Sequence, residues 1–102
     1  MKIRIVTEAV AEVEEARQFL TDRSLELGSR LLDEFSETLD QIVVGPEIFP
    51  EVESSGNECL FRHAILKTFQ YFVVFEAHET EIVVVAVVPA RRAPHDWLHH
   101  SE

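Results

Sequence analysis

Cysteine, glycine and proline are scarce in this chain of 102 residues, which contains one cysteine, three glycines and four prolines. Because Cys59 has no second cysteine to pair with, an internal disulfide is excluded, and a buried, unreactive thiol is the default interpretation. Hydrophobic residues make up 46% of the sequence. That proportion, with so little glycine and proline, is typical of a globular chain rather than a disordered one. The length predicts a single domain over residues 1–102.

A long hydrophobic run is also lacking. No apolar stretch approaches the roughly 20 residues that a membrane-spanning helix requires. The opening residues, MKIRIVTEAV, have no apolar core of a secretory signal and lead directly into acidic residues. We therefore predict a cytoplasmic protein that has no membrane partner.

Basic residues are few, because nine Lys and Arg stand against nineteen Asp and Glu, for a net charge of −10. Nucleic-acid-binding proteins usually carry a basic face, so this balance argues against sequence-specific nucleic-acid binding. The charges are unevenly placed. Residues 7–44 contain ten acids, whereas residues 60–95 contain four basic side chains and three acids. Residues 60–95 therefore carry a slight excess of positive charge, whereas residues 7–44 are strongly acidic.

The strongest structural signal is the run IVVVAVV over residues 82–88. Side chains alternate between the two faces of a strand, and this run has no polar residue in either alternate set. It is also too short for a typical helix and rich in β-branched residues. We interpret it as the central strand of a sheet that is buried on both faces.

The first half of the chain predicts a strand followed by two helices. Residues 1–6 alternate in the manner of a strand with one buried face. Thr7 is the predicted N-cap of a helix from about Glu8 to Thr21, and Ser24 of a second helix to about Val43. Each helix has an apolar stripe at helical spacing. The stripes are Ala9, Val13, Ala16 and Leu20 in the first helix, and Leu25, Gly28, Leu31, Leu32, Phe35, Leu39, Ile42 and Val43 in the second. Together they predict an antiparallel helical hairpin over residues 7–44.

The second half predicts a meander of three strands. Gly45 and Pro46 end the second helix, and a loop follows to about Glu58. The strands are expected over about Leu60–Lys67, Tyr71–Glu76 and Glu81–Val88, within residues 59–88, and Pro89 begins a tail over residues 89–102. The predicted fold class is α+β, in the order β-α-α-β-β-β, with an antiparallel sheet covered on one face by the helical hairpin.

Nothing else in the predicted chain is large enough to cover the other face of that sheet. Large exposed apolar faces are unusual on soluble monomers, so this face is a candidate partner surface. The alternative is that Trp97 and Leu98, in the tail, cover it.

Six side chains are candidates for binding a target or partner. They are Arg62, Lys67, Tyr71, Arg91, Arg92 and Trp97. Arginine forms bidentate pairs with carboxylates, and tryptophan is enriched at binding hot spots. The alternatives are surface salt bridges for the arginines, and a place in the core for the two aromatic residues. Glu8, Glu12 and Glu15 read as a solvated acidic face, and the sequence predicts neither a metal site nor a cofactor.

A further set of residues follows a fixed order along nearly the whole chain. The set comprises Pro46, Phe49 and Pro50, then Arg62, Leu66-Lys67, Phe69-Gln70-Tyr71 and Val73-Val74-Phe75, and finally Arg92, Pro94 and Trp97. With the predicted order of elements, it resembles the ParE/RelE superfamily of toxins from bacterial type II toxin–antitoxin systems, and its ParE branch more closely. Gln70 stands where the family often has proline, Phe75 where it has a hydroxylated aromatic residue, and Pro89 where it has histidine.

The resemblance implies a RelE/ParE-like fold and a poison that a cognate small antitoxin neutralises. The ParE branch blocks DNA gyrase, whereas the RelE branch cuts messenger RNA on the ribosome. The nuclease branch has an arginine and a tyrosine at places that correspond here to Ala90 and Asp96. This favours a protein-binding gyrase inhibitor with no catalytic residues. The alternatives are a ribosome-dependent endonuclease of the same fold and a non-toxic relative that only binds an antitoxin, and a homodimer also stays open.

Overall fold

A computed structural model describes residues 2–52 and 61–91 of the chain. The elements in order are β1 (Lys2–Ile5), α1 (Thr7–Thr21), α2 (Leu25–Val44), a 3-10 helix (Pro46–Ile48), β2 (Glu51–Val52), β3 (Phe61–Leu66), β4 (Tyr71–Ala77) and β5 (Glu81–Pro89). The α+β class is therefore confirmed, with two helices packed against one sheet. No helix in the described ranges is both long and apolar enough to cross a membrane.

Over the described ranges the sheet has five strands, in the order β1-β5-β4-β3-β2. The predicted sheet of four antiparallel strands is wrong in two respects. First, β1 pairs with β5 in parallel. Second, the predicted loop after α2 contains β2, whose two residues pair with Phe61 and Arg62 of β3. A strand of two residues is too short to show an alternating pattern, which is why the sequence did not reveal it.

The run over residues 82–88 is buried along its whole length, as the sequence predicts. β5 lies between β1 and β4, while β4 is the middle strand of the five. A β-bulge interrupts the pairing: Val74 faces Ala86 and Phe75 faces Val84, so that Val85 is the additional residue. The bulge shifts the alternation of side chains along β5. Val84 and Val87, three residues apart, consequently face the same helix-covered side.

The helix boundaries agree with the predicted ones within one or two residues. Ser24 is the N-cap of α2, as predicted, but the predicted N-cap of α1 is wrong. α1 begins at Thr7 itself, after Val6, and neither Val6 nor Ser24 forms a side-chain capping bond. The two helices approach closely at Gly28. A Cβ atom at this position would overlap the Thr21 hydroxyl and lie 3.1 Å from the carbonyl oxygen of Arg17.

The apolar stripe of α2 is narrower than predicted. Leu25 and Leu32 are 80% and 40% exposed, whereas Leu31, Phe35 and Ile42 are buried. Positions 31 and 32 are adjacent, and a helix turns through about 100° between them, so only one of the two can point directly at the sheet. The pattern alone did not show which one.

Buried residues form one cluster on each face of the sheet. The helix-covered cluster contains Ala9, Ala16, Leu31, Phe35, Ile42, Ala64, Leu66, Val73, Phe75, Ile82, Val84 and Val87. The cluster on the second face contains Val52, Phe61, Val74, Val83, Val85, Ala86 and Val88, with no helix residue among its buried members. Because the side chains of this second cluster are buried, the expected open apolar sheet face is not confirmed. Trp97 and Leu98, the proposed covering residues, lie outside the described ranges.

Candidate functional site

Two adjoining cavities lie where β5 ends, and we call them together the β5 cleft. The first has a volume of about 220 Å³ and the second about 200 Å³. They share Phe19, Tyr71, Pro89 and Arg91. The cleft therefore combines residues from α1, from the start of β4 and from the end of β5.

The cleft exists because β1 is short. β1 pairs with β5 only as far as Ile5 and Val84, and Val6 adds one hydrogen bond from its N–H to the Val84 carbonyl at 3.0 Å. The chain then enters α1, which takes the place of β1 beside the second half of β5. The backbone N–H of Val87 donates to Glu12 Oε1 at 2.7 Å. Val87 pairs with β4 on one side, but on the other side β1 has already ended. A side chain of α1 thus accepts the hydrogen bond that a neighbouring strand would otherwise accept.

The β3–β4 turn forms the opposite wall. Gln70 has a φ of 58°, in the left-handed region that residues other than glycine seldom occupy. Its N–H donates to the Leu66 carbonyl at 2.7 Å, and its own carbonyl accepts from the Ala90 N–H at 2.8 Å. The side-chain amide of Gln70 also donates to the Lys67 carbonyl at 2.8 Å. These bonds fix the point at which the chain leaves β5 relative to the turn.

The two cavities differ in chemistry. The first is bordered by the carboxylates of Glu12 and Glu15 on α1. The second is bordered mainly by apolar side chains, among them Leu20 and Phe69. Phe19 lies between them and is 54% exposed, which is unusual for a large aromatic side chain.

Of the six predicted binding residues, the structure brings Tyr71 and Arg91 together in the β5 cleft. Lys67 is exposed in the β3–β4 turn and borders neither cavity of the cleft. Arg92 and Trp97 lie outside the described ranges.

Arg62 has a different environment. Its Nη1 donates to the carbonyl oxygen of Phe49 at 2.7 Å, and its Nη2 lies 3.6 Å from Glu51 Oε2. Only 19% of its side chain is exposed. Arg62 therefore ties the segment that follows α2 to β3, and this geometry favours a structural role.

Sequence reasoning did not identify Glu12, Glu15, Phe19, Gln70 or Pro89 as site residues. Glu12 and Glu15 looked like members of a solvated acidic face, yet Glu12 is half-buried against β5. Phe19 did give a signal, because an aromatic residue next to the apolar stripe of an otherwise acidic helix is unexpected on a solvated surface.

Neither histidine of the described residues belongs to the cleft. His63 lies on β3 with its ring 4.8 Å from that of Phe72, and burial lowers the pKa of its imidazole. His78 lies 3.1 Å from Glu76 Oε1. Within residues 2–52 and 61–91, no group of three or more histidine, cysteine or acidic residues is placed to hold a metal ion.

Comparisons with known proteins add no family assignment. No protein-family model matches the chain, and no curated protein matches it either. The resemblance to the ParE/RelE toxins therefore stays a prediction that depends on the residues named above. What the structure itself supplies is a two-layer α+β fold with a cleft of mixed aromatic and charged character at the end of β5.

Proposed function

We propose that this protein is a growth-inhibiting toxin of the ParE type, which acts by binding a cellular protein and is neutralised by a small cognate antitoxin. The observation that carries the proposal is the β5 cleft, where Tyr71, Arg91 and the half-exposed Phe19 meet. Tyrosine and arginine are enriched at binding hot spots, because each combines a large contact area with directed hydrogen bonds. By family resemblance, the proposed target is DNA gyrase.

The fold proposed with this function is a variant of the RelE/ParE type. The helical hairpin followed by the antiparallel meander of β3, β4 and β5 is the arrangement that the resemblance implies. The short strand β2 is an addition to that plan.

The nuclease alternative is less well supported by the same cleft. A site that cuts RNA must stabilise the charge that builds up on a phosphate, for which arginine, lysine, tyrosine or histidine is suited. Here Glu12 and Glu15 border the first cavity, and Ala90 stands where the nuclease branch has an arginine. Two carboxylates beside Arg91 oppose the approach of a phosphate.

The proposal is tested by inducing the chain in a bacterial host and comparing Arg91→Ala with Lys67→Ala. Both substitutions remove one exposed cation, but only Arg91 borders the cleft. We expect wild type and Lys67→Ala to inhibit growth and Arg91→Ala to lose inhibition. The free energy of unfolding of each variant should differ from that of wild type by no more than about 0.5 kcal/mol, as is usual for exposed positions. Thermal unfolding measures it.

A supercoiling assay with purified gyrase identifies the target. Loss of supercoiling supports the gyrase assignment, whereas messenger RNA cleavage on translating ribosomes supports the endonuclease. If the chain binds the product of a neighbouring small gene but does not slow growth, it is the non-toxic relative. That result would contradict the proposed toxicity.

A further inference from the structure

Gln70 lies where the two binding residues of the β5 cleft are joined through the main chain. Tyr71 follows Gln70 in the sequence, and Arg91 follows Ala90, whose N–H donates to the Gln70 carbonyl at 2.8 Å. Gln70 also borders the second cavity of the cleft. A single residue therefore connects the start of β4 with the segment that leaves β5.

The backbone of Gln70 is strained. Its φ of 58° lies in the left-handed region, which glycine occupies readily and residues with a side chain seldom do. Residues that keep such a conformation are concentrated at binding and active sites, where the surrounding contacts hold them in place. A strained residue in the wall of a cleft therefore points to a functional constraint on this turn.

The left-handed conformation directs the two polar groups of the Gln70 backbone to different elements. Its N–H donates to the Leu66 carbonyl at 2.7 Å, within the β3–β4 turn, whereas its carbonyl accepts from Ala90 of the segment after β5. Tyr71 and Pro89 face each other in the pairing of β4 with β5, and Pro89 has no N–H to donate. The bond from Ala90 thus continues the pairing by one residue beyond the proline.

The glutamine side chain supports the same turn. Its Nε2 donates to the Lys67 carbonyl at 2.8 Å. Glycine at this position would adopt the left-handed backbone without strain, but it would lack this bond. Backbone conformation and side-chain bond are therefore separable, because a substitution can remove one of them and keep the other.

We propose that Gln70 is a positioning residue of the β5 cleft: its left-handed backbone holds the segment after β5 against the β3–β4 turn and so fixes Arg91 relative to Tyr71. Binding residues that are already in place lose less conformational entropy when a partner docks. The effect on partner binding rests on the proposed function. The effect on Arg91 itself is a property of the free protein, and it is measured without a partner.

The first measurement is the backbone order parameter of Arg91 in the free protein, from ¹⁵N relaxation. Gln70→Gly and Gln70→Val both lose the bond to Lys67, but only glycine tolerates a φ of 58°. We expect an order parameter of about 0.85 in wild type and Gln70→Gly, and below about 0.6 in Gln70→Val. The Ala90 amide hydrogen should exchange about tenfold faster in Gln70→Val than in wild type.

Two outcomes of this measurement would overturn the proposal. One is a similar order parameter at Arg91 in wild type and Gln70→Val, which would show that the turn does not hold Arg91. The other is a decrease in Gln70→Gly as large as that in Gln70→Val, which would assign the effect to the side-chain bond and not to the left-handed backbone.

The second measurement is the affinity for purified DNA gyrase. Gln70→Val should weaken binding about tenfold, and Gln70→Gly clearly less, because glycine preserves the backbone that positions Arg91. Ile42→Val is the control for stability, since it removes a buried methylene group from α2 at a residue that does not border the cleft. Its affinity should stay within about twofold of wild type.

A double-mutant cycle shows whether Gln70 acts through Arg91. In an Arg91→Ala background, Gln70→Val should weaken binding by about twofold or less, because the side chain that it positions is already absent. An undiminished tenfold effect in that background would overturn the proposal. If wild type does not bind gyrase, the proposed target is wrong, and the order parameter of Arg91 decides the positioning role by itself.

Discussion

The carboxylate of Glu12 and the backbone N–H of Val87 lie 75 residues apart in the sequence and 2.7 Å apart in the structure. Their hydrogen bond joins the middle of α1 to the part of β5 that extends beyond β1. A buried or half-buried backbone donor costs free energy if it is left without an acceptor. This one contact therefore stabilises the fold and also fixes one wall of the cleft.

The first prediction concerns this contact. Glu12→Ala should lower the free energy of unfolding by about 1–2 kcal/mol, because it leaves the Val87 donor without its acceptor. Glu12→Gln should lower the free energy of unfolding by less, since the amide oxygen of glutamine can still accept the hydrogen bond from Val87. Chemical denaturation measures both, with Glu14→Ala on the exposed side of α1 as the control. A loss in Glu14→Ala as large as that in Glu12→Ala would show that the contact has no particular role.

The second prediction concerns the backbone of Gln70. A left-handed conformation costs a residue with a side chain about 1–2 kcal/mol relative to its preferred conformations, and glycine avoids that cost. Glycine loses more conformational entropy on folding, and the variant loses the side-chain bond to the Lys67 carbonyl. We expect Gln70→Gly to raise the free energy of unfolding by about 0.5 kcal/mol.

A matched substitution separates strain from the loss of the side-chain bond. Gln70→Val also removes the bond to Lys67 but places a β-branched residue at a φ of 58°. In thermal unfolding, Gln70→Gly should therefore be more stable than wild type and Gln70→Val less stable. A glycine variant that is no more stable than the valine variant would contradict strain at this turn.

The third prediction separates Arg62 from the cleft residues. Arg62→Ala should lower the free energy of unfolding by about 1.5–3 kcal/mol, because the bond to the Phe49 carbonyl comes from a charged and largely buried donor. Lys67→Ala, at an exposed position of the adjoining turn, should change it by less than about 0.5 kcal/mol. The measurement is chemical denaturation, paired with growth on induction. If Arg62→Ala stays as stable as wild type while growth inhibition is lost, Arg62 belongs to the functional site.

The fourth prediction concerns pH. Burial lowers the pKa of His63 in the folded protein below its usual value of 6.5. At pH values below about 6.5, the unfolded chain therefore binds a proton at this residue more readily than the folded chain does. The free energy of unfolding should fall as the pH decreases from about 6.5 through the lowered pKa.

A substitution that removes the titrating group should weaken this dependence. Unfolding of wild type and of His63→Gln, followed between pH of about 7.5 and 5, should show a shallower slope in the variant. Equal slopes in wild type and His63→Gln would show that His63 titrates alike in the folded and unfolded chains.

The sequence by itself determined the elements whose signal is local. Alternating or continuous apolar runs specify strands, and the helical spacing of apolar residues specifies that α2 buries one face, because both periods follow from backbone geometry. The spacing did not decide between Leu31 and Leu32. The burial of residues 82–88 on both faces was likewise readable from composition alone. Arg91 was recognised as a candidate because arginine is favoured at interfaces, and Tyr71 belongs to the set of residues that carries the family resemblance.

Only the tertiary structure decided how these pieces meet. The two-residue strand β2, the parallel pairing of β1 with β5 and the bulge at Val85 depend on contacts between distant segments. The β5 cleft depends on them as well: β1 stops at Ile5, α1 continues beside β5, and Glu12 reaches Val87. A local sequence pattern indicates which side chains are apolar enough to be buried. It does not indicate which backbone N–H groups of β5 extend beyond β1 and need an acceptor from another element. The N–H of Val87 is such a group, and its bond to Glu12 holds that carboxylate in the wall of the cleft.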